Sequence, residues 1–204
     1  MANAIDGLTP ALVWKYFAEI DRIPRGSKNE NAIGAYLVGT AKKLGLEAQQ
    51  DAVGNVVARK AASKGRESAP GVCLQGHMDM VCEKNKDTVH DFLKDPIELV
   101  RQGNFIRAKG TTLGADNGIA VATCLAMMED KTLEHGPLEF LFTVDEETGL
   151  TGANNLQPGF LRSKILLNLD SEDEGELYVG CSGGRDNTGT WAAVWDDAPA
   201  GGIG

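Results

Sequence analysis

The residues of this chain best suited to chemistry are one histidine and several carboxylates, most of which directly follow short apolar runs. In chain order they are His77, Asp79, Asp116, Glu146, Glu147 and Asp170. An imidazole with several carboxylates is a mixed nitrogen and oxygen donor set, which suits zinc, manganese or cobalt better than calcium. A set that is poor in histidine also suits a pair of ions, because one carboxylate can bridge both. The donor set therefore predicts a metal centre.

The spacing within two pairs of these residues supports that prediction. His77 and Asp79 are two positions apart at a predicted strand end, so in extended chain their side chains point the same way. A carboxylate beside a ligand histidine fixes its tautomer and raises its basicity. Glu146 and Glu147 follow an apolar strand, where desolvation of two carboxylates is costly unless a cation is bound. Each pair alone also fits a solvated surface, and only their combination favours a site.

Other chemistries find less support in the sequence. The Gly-rich segments 149–152 and 180–184 match neither a Walker A loop nor a dinucleotide fingerprint. The serines have no neighbouring histidine in a nucleophile motif, which argues against acyl-enzyme chemistry. His135 precedes an apolar strand of seven residues, about 23 Å long, and is predicted to be a turn residue away from the other groups. The position of His90, in a polar stretch, stays open.

Alternating strands and helices are predicted to position these groups. Apolar residues at helical spacing follow Thr9-Pro10 and the predicted capping box Ser27–Glu30, and a third helix is predicted from about Gly118 to Glu129. The apolar runs between them predict buried strands. We therefore expect an α/β fold with a mixed, mostly parallel twisted sheet, flanked by helices on both faces. Ligands of such sheets bind beyond the carboxyl ends of the strands, where the candidate residues fall.

Composition limits the class of partner. The 204 residues include 20 Lys and Arg against 29 Asp and Glu, a net charge of −9, with 42% hydrophobic residues. Such a chain can bury a core, and its charge argues against nucleic acid or an anionic membrane as partner. No apolar run approaches the length of a spanning helix and the start lacks a secretory signal, so a cytoplasmic protein is expected. The four cysteines form no C-x-x-C pair and are predicted to be reduced and mostly buried.

The order of four motifs adds a resemblance to this argument. They are Leu74–Val81, Gly110–Ala120, Asp145–Gly149 and Asn168–Asp170. Together they resemble the co-catalytic zinc metallopeptidases, and within that group the aminoacyl-histidine dipeptidase branch (Xaa-His dipeptidase, peptidase D). The resemblance implies zinc-dependent hydrolysis of dipeptides, with Xaa-His favoured, and a homodimer for the full-length protein.

The resemblance also implies a role for each candidate residue. His77 and Asp170 would hold one Zn²⁺, Glu147 the other, and Asp116 would bridge them, with Mn²⁺ or Co²⁺ as alternative metals. Asp79 would orient His77. Glu146 would be the general base that takes a proton from the attacking water.

The chain departs from the family pattern in its extent. The family has a further histidine ligand far downstream and a lid domain inserted before it. Residues 1–182 are therefore expected to be the amino-terminal part of a catalytic domain, and residues 183–204 the start of a lid or linker in an incomplete enzyme. Two alternatives stay open: an N-acyl amino acid deacylase of the same group, and a silent metal-binding or peptide-binding fragment. The block Asp87–His90 favours the dipeptidase by resemblance, and Glu146 argues against a silent site.

Overall fold

The computed structural model describes residues 4–171, 173, 175–180, 183 and 187–193. The chain divides into two compact units, Met1–Ser171 and Glu172–Gly204. The described residues of the second unit form no helix or strand. The predicted end of the catalytic domain at residue 182 stays a prediction, and residues 181 and 182 lie outside the described residues.

The first unit alternates helices and strands in the order predicted by the apolar runs. The described helices are α1 (Ala11–Ile20), α2 (Asn31–Lys43), α3 (Ala115–Glu129) and the short α4 (Thr151–Asn154). The described strands are β1 (Glu47–Gln50), β2 (Val56–Lys60), β3 (Val72–His77), β4 (Leu99–Gln102), β5 (Phe105–Ala108), β6 (Leu138–Thr143) and β7 (Ile165–Asn168). The separate antiparallel pair β4–β5 turns at Gly103, whose φ is +60°, and was not predicted.

Five strands form one sheet in the order β1-β2-β6-β3-β7. The pairs β1–β2 and β2–β6 are antiparallel, whereas β3 runs parallel to both β6 and β7. The predicted mixed sheet is thus confirmed, with parallel pairs making up half of it. His77 pairs with Thr143 and Gln75 with Asn168, so the carboxyl ends of β3, β6 and β7 meet at one edge.

The core lies mainly on one face of the sheet. Helices α1, α2 and α3 bury Phe17, Leu37 and Leu125 against Phe140 and Phe142 of β6. Every residue of β6 is buried, as expected for a central strand that is covered on both faces. We expected helices on both faces. In the part of the chain that the structure describes, however, the second face is instead covered by the segment 156–161, which follows α4.

Two further features concern the surface and the cysteines. Strand β7 is an edge strand whose apolar residues Ile165, Leu166 and Leu167 are 43%, 50% and 44% exposed. Cys73 and Cys124 are buried free thiols, Cys82 is a partly buried one, and Cys181 lies outside the described residues. Among the described residues, no helix is long and apolar enough to cross a membrane.

Candidate metal centre

The structure brings the six predicted site residues to one edge of the sheet. His77 ends β3, and its ring is 1% exposed. Its Nε2 lies 2.9 Å from Oδ1 of Asp116, 3.7 Å from Oδ2 of Asp170 and 3.9 Å from Oε2 of Glu146. Three chain segments, far apart in sequence, therefore direct carboxylates at the same imidazole nitrogen.

Two overlapping groups of these side chains have the spacing that a metal ion needs. One is His77 with Glu146 and Asp170, and the other is His77 with Asp116 and Glu147, each with ligand atoms within 4.8 Å of one another. One nitrogen with several carboxylate oxygens suits zinc, manganese or cobalt. The residues present therefore fit a metal centre.

The turn before α3 shapes the position of Asp116. Gly114 precedes the helix with a φ of +70°, in the left-handed region that favours glycine. Asp116 and Asn117 then depart from helical geometry, and the peptide bond between them is cis. This turn leaves the side chain of Asp116 72% exposed at the rim. The neighbouring Asn117 is buried, and its Nδ2 donates to Oδ1 of Asp170 at 2.9 Å.

Asp79 is fully buried and organises both glutamates as well as His77. Its Oδ1 lies 3.2 Å from Nδ1 of His77 and accepts the backbone N–H of Glu146 at 3.1 Å. Its Oδ2 accepts the backbone N–H of Glu147 at 3.3 Å and the hydroxyl of Ser27 at 2.8 Å. Burial by itself would raise the pKa of Asp79, but these hydrogen bonds outweigh it and hold the pKa below its usual value.

The buried carboxylate of Glu30 supports the loop that carries Glu146 and Glu147. Asp145 has a φ of +50°, unusual for a residue other than glycine, and its N–H donates to Oε1 of Glu30 at 2.9 Å. Glu30 also accepts the N–H of Lys28, while Ser27 donates to Asp79. The predicted capping box Ser27–Glu30 is therefore wrong, because both side chains make long-range contacts to the site instead of closing the helix end.

The electrostatics of the cluster favour a bound cation. Burial alone would lower the pKa of His77, but the hydrogen bond and charge of Asp79, with the nearby carboxylates, raise it to about 9. Burial raises the pKa of Glu146, Glu147 and Asp170. The charge of His77 opposes this shift, and the charges of the neighbouring carboxylates add to it. Like charges are thus held together at a cost that a metal ion would relieve.

The sequence matches a known family over most of this region. Residues 73–188, more than half of the chain, match the model of peptidase family M20/M25/M40. The chain belongs to this family. Members of the family are metal-dependent, in agreement with the ligand groups around His77.

Relatives within the M20/M25/M40 family agree with the predicted branch. The chain is 48% identical to the cytosol non-specific dipeptidase of Escherichia coli over 98% of its own length and 41% of that protein. It resembles the crystal structure of aminoacylhistidine dipeptidase from Vibrio alginolyticus with a TM-score of 0.82 and 50% identity, over 84% of this chain and 35% of that one. A tripeptidase from Staphylococcus aureus, 23% identical with a TM-score of 0.67 over 79% of this chain and 43% of that one, shares the fold. The chain thus spans less than half the length of these relatives.

The two other histidines lie away from these groups. His135 is in the loop between α3 and β6, as predicted, where its Nδ1 lies 2.7 Å from the carbonyl of Gly136. His90 packs edge-on against Phe92 in the loop before β4. Neither belongs to the ligand groups found among the described residues.

Sequence reasoning missed three residues that support the site, namely Arg25, Ser27 and Glu30. All lie between α1 and α2 and contact the ends of β3 or β6. The only local signal was a cluster of charged and polar residues in a short helix connection, and that pattern is equally typical of a helix start.

Proposed function

We propose that this chain carries most of the catalytic centre of a zinc-dependent dipeptidase that favours Xaa-His substrates. The observation that carries the proposal is the convergence of Asp116, Asp170 and Glu146 on Nε2 of the buried His77. The E. coli and Vibrio relatives, at 48% and 50% identity, are named as dipeptidases, which favours this substrate class over N-acyl amino acids.

The proposed roles follow the geometry and the resemblance together. His77 and Asp170 would hold one zinc ion, Glu147 the second, and the exposed carboxylate of Asp116 would bridge them. Mn²⁺ and Co²⁺ suit the same donors. Because the chain spans 41% of the E. coli relative, we propose that a further ligand of the second ion comes from a segment outside these 204 residues.

The chain's own residues supply the proton transfers and the orientation. When bound, the ions would acidify a water molecule and polarise the scissile carbonyl. Glu146 would take the proton of the attacking water and deliver it to the leaving amine, a role suited to its raised pKa. Asp79 would hold the ring of His77 through Nδ1, leaving Nε2 for the metal. The same carboxylate would keep Glu146 and Glu147 in place through their backbone N–H groups.

The proposal extends to the wider context of the protein. We propose a cytoplasmic location, a small peptide substrate and a homodimer for the full-length protein. We also propose that residues 1–182 belong to the catalytic domain and residues 183–204 begin a lid or linker.

An assay with two substrates tests the function. The 204-residue chain and the product of the complete reading frame are each assayed with Ala-His and with N-acetyl-alanine in the presence of Zn²⁺, Mn²⁺ or Co²⁺. We expect the longer protein to hydrolyse Ala-His and the 204-residue chain to be far slower. Activity of the short chain within about tenfold of the long one, or about 1.4 kcal/mol in transition-state stabilisation, would contradict the need for a downstream ligand. Preference for N-acetyl-alanine would establish the deacylase instead.

A further inference from the structure

A buried arginine outside the ligand set connects the segments that carry His77 and Asp116. Arg25 lies between α1 and α2, with its side chain 1% exposed. Its Nη1 donates to the carbonyls of Met78 and Asp79 at 3.3 and 3.2 Å. Its Nη2 donates to the carbonyl of Gly114 at 2.6 Å and to Oδ1 of Asp21 at 3.3 Å.

These carbonyls belong to the two segments whose spacing sets the candidate metal centre. Met78 and Asp79 directly follow His77, and Gly114 is two residues before Asp116. The guanidinium is therefore a polar bridge between the end of β3 and the start of α3.

Two glycines make room for this bridge. A Cβ atom at Gly114 would lie 2.4 Å from Nη2 of Arg25, and one at Gly118 would lie 2.7 Å from it. Both distances are far below van der Waals contact, so any side chain there would displace the guanidinium. The turn that carries Asp116 is thus shaped around Arg25 at both ends.

Stability alone does not explain a charged residue at this position. Burying an ion pair is costly, and an apolar replacement of similar volume is often neutral or stabilising. An arginine instead offers five donors in a rigid planar fork, whereas a lysine offers a compact point charge. The observed contacts use that fork, since two nitrogens reach carbonyls on different segments at once.

We propose that Arg25 is a positioning residue that sets the separation of His77 and Asp116 in the candidate metal centre. This proposal rests on the proposed function, because the two side chains matter to each other only if they share a metal site. The simple alternative is that Arg25 stabilises the fold without any specific effect on the site.

Arg25→Met in the 204-residue chain is the test variant, and Arg59→Met is its matched control. Arg59 is also ion-paired and its side chain is only 9% exposed, with Nε 2.9 Å from Oε1 of Glu139 and Nη2 2.6 Å from the carbonyl of Phe160. Neither of these partners is a candidate ligand. Arg25→Lys keeps the charge and loses the fork. Gly118→Ala crowds the guanidinium from the other side.

The first measurement needs no metal. Hydrogen–deuterium exchange is followed at two backbone amides. The amide of Gly118 donates to the backbone carbonyl of Gly114, and the amide of Met80 donates to the backbone carbonyl of Arg25. We expect both amides to exchange at least tenfold faster in Arg25→Met than in Arg59→Met. Equal exchange in the two variants would overturn the proposal.

The second measurement is titration with Co²⁺, read by visible absorption. Loss of a group that orients ligands typically lowers metal affinity 10- to 100-fold, and we expect a decrease of that size in the Co²⁺ affinity of Arg25→Met. The Co²⁺ affinity of Arg59→Met should stay within about threefold of the wild-type value. Equal affinities in the two variants would overturn the positioning role. If Arg25→Met fails to fold, hydrogen exchange and Co²⁺ affinity are measured in Arg25→Lys and Gly118→Ala instead, and values equal to those of Arg59→Met would again overturn the positioning role. If the wild-type 204-residue chain binds no Co²⁺, the titration is repeated with the product of the complete reading frame and the same variants. Absence of Co²⁺ binding there would overturn the proposed function, and hydrogen exchange then decides the role of Arg25.

Discussion

Replacing Gly76 by alanine should disable the metal centre although Gly76 is not a ligand. Gly76 lies in β3 next to His77, and a Cβ atom there would lie 2.3 Å from Oδ1 of Asn117 and 3.0 Å from Cβ of Ala120. Asn117 would have to move, and its hydrogen bond to Asp170 would be lost. The substitution thus acts on Asp170 through one intermediate side chain.

The magnitude can be worked from these contacts. A hydrogen bond to a charged group contributes about 1.5–3 kcal/mol, and overpacking a core position costs about 1–3 kcal/mol. We therefore expect Gly76→Ala to lower the free energy of unfolding by about 3–5 kcal/mol and to weaken zinc binding. Gly39→Ala in α2 is the control, because nothing lies within 4 Å of the added Cβ. It should raise helix stability by up to about 1 kcal/mol.

Urea unfolding followed by circular dichroism, with zinc titration by calorimetry, measures both effects. Combining Gly76→Ala with Asn117→Ala removes the obstructing side chain, so stability should partly recover while zinc binding does not. The reasoning is refuted if the free energy of unfolding of Gly76→Ala lies within about 1 kcal/mol of the wild-type value and its zinc affinity is unchanged.

Four further outcomes are expected. Asp116→Ala should lose more bound zinc by mass spectrometry than any other single ligand variant, since a bridging carboxylate serves both ions; full zinc retention would exclude the bridging role. In the longer protein, Glu146→Gln should lower turnover by about 10²- to 10⁴-fold with zinc content unchanged, whereas Glu147→Gln should lose zinc; the reverse pattern would exchange the two roles. In EDTA, the stabilisation from His77, whose pKa is raised from 6.5 to about 9, should be fully present below pH 6.5 and lost as the pH rises through 9. The free energy of unfolding, measured with urea, should fall by about 3 kcal/mol across this pH range, and this decrease should be absent in His77→Gln. Leu166→Lys, on the exposed edge strand, should reduce self-association of the 204-residue chain in sedimentation velocity; unchanged association would place the contact elsewhere.

The candidate ligands could be predicted because their signal is local. An apolar run that stops at polar residues identifies a buried strand and its end, and parallel strands place their carboxyl ends at one edge. His77 and Asp170 follow from this rule directly, as does the pair Glu146 and Glu147. A mixed sheet was expected, but the antiparallel pairs could not be assigned, because apolar runs do not reveal that β2 pairs antiparallel with β6.

The supporting residues could not be predicted because their signal is not local. Ser27 reaches Asp79 across 52 residues, Arg25 reaches it across 54, and Glu30 reaches Asp145 across 115. A short polar connection between two helices shows the same composition whether its side chains face water or a buried strand end. Only the topology, which places this connection beside β3 and β6, decides between the two.

The contacts of Asp79 explain why a carboxylate is needed at this position. Both of its oxygens only accept, from Glu146 N–H and Ser27 Oγ–H among others, and Oδ1 also faces Nδ1 of His77. An asparagine would present an NH₂ group to one of these donor pairs, so one set of contacts would become donor against donor. Because Asp79 holds the glutamates by their backbone rather than by their carboxylates, it positions both without occupying the oxygens proposed for metal binding and proton transfer. The backbone carbonyl of Asp79 also lies 3.2 Å from Nδ1 of His77, so the tautomer of the ring does not depend on the carboxylate alone. The carboxylate contact of the ring and the placement of Glu146 and Glu147 do share the same two oxygen atoms, and a change of the Asp79 side chain would disturb these contacts together.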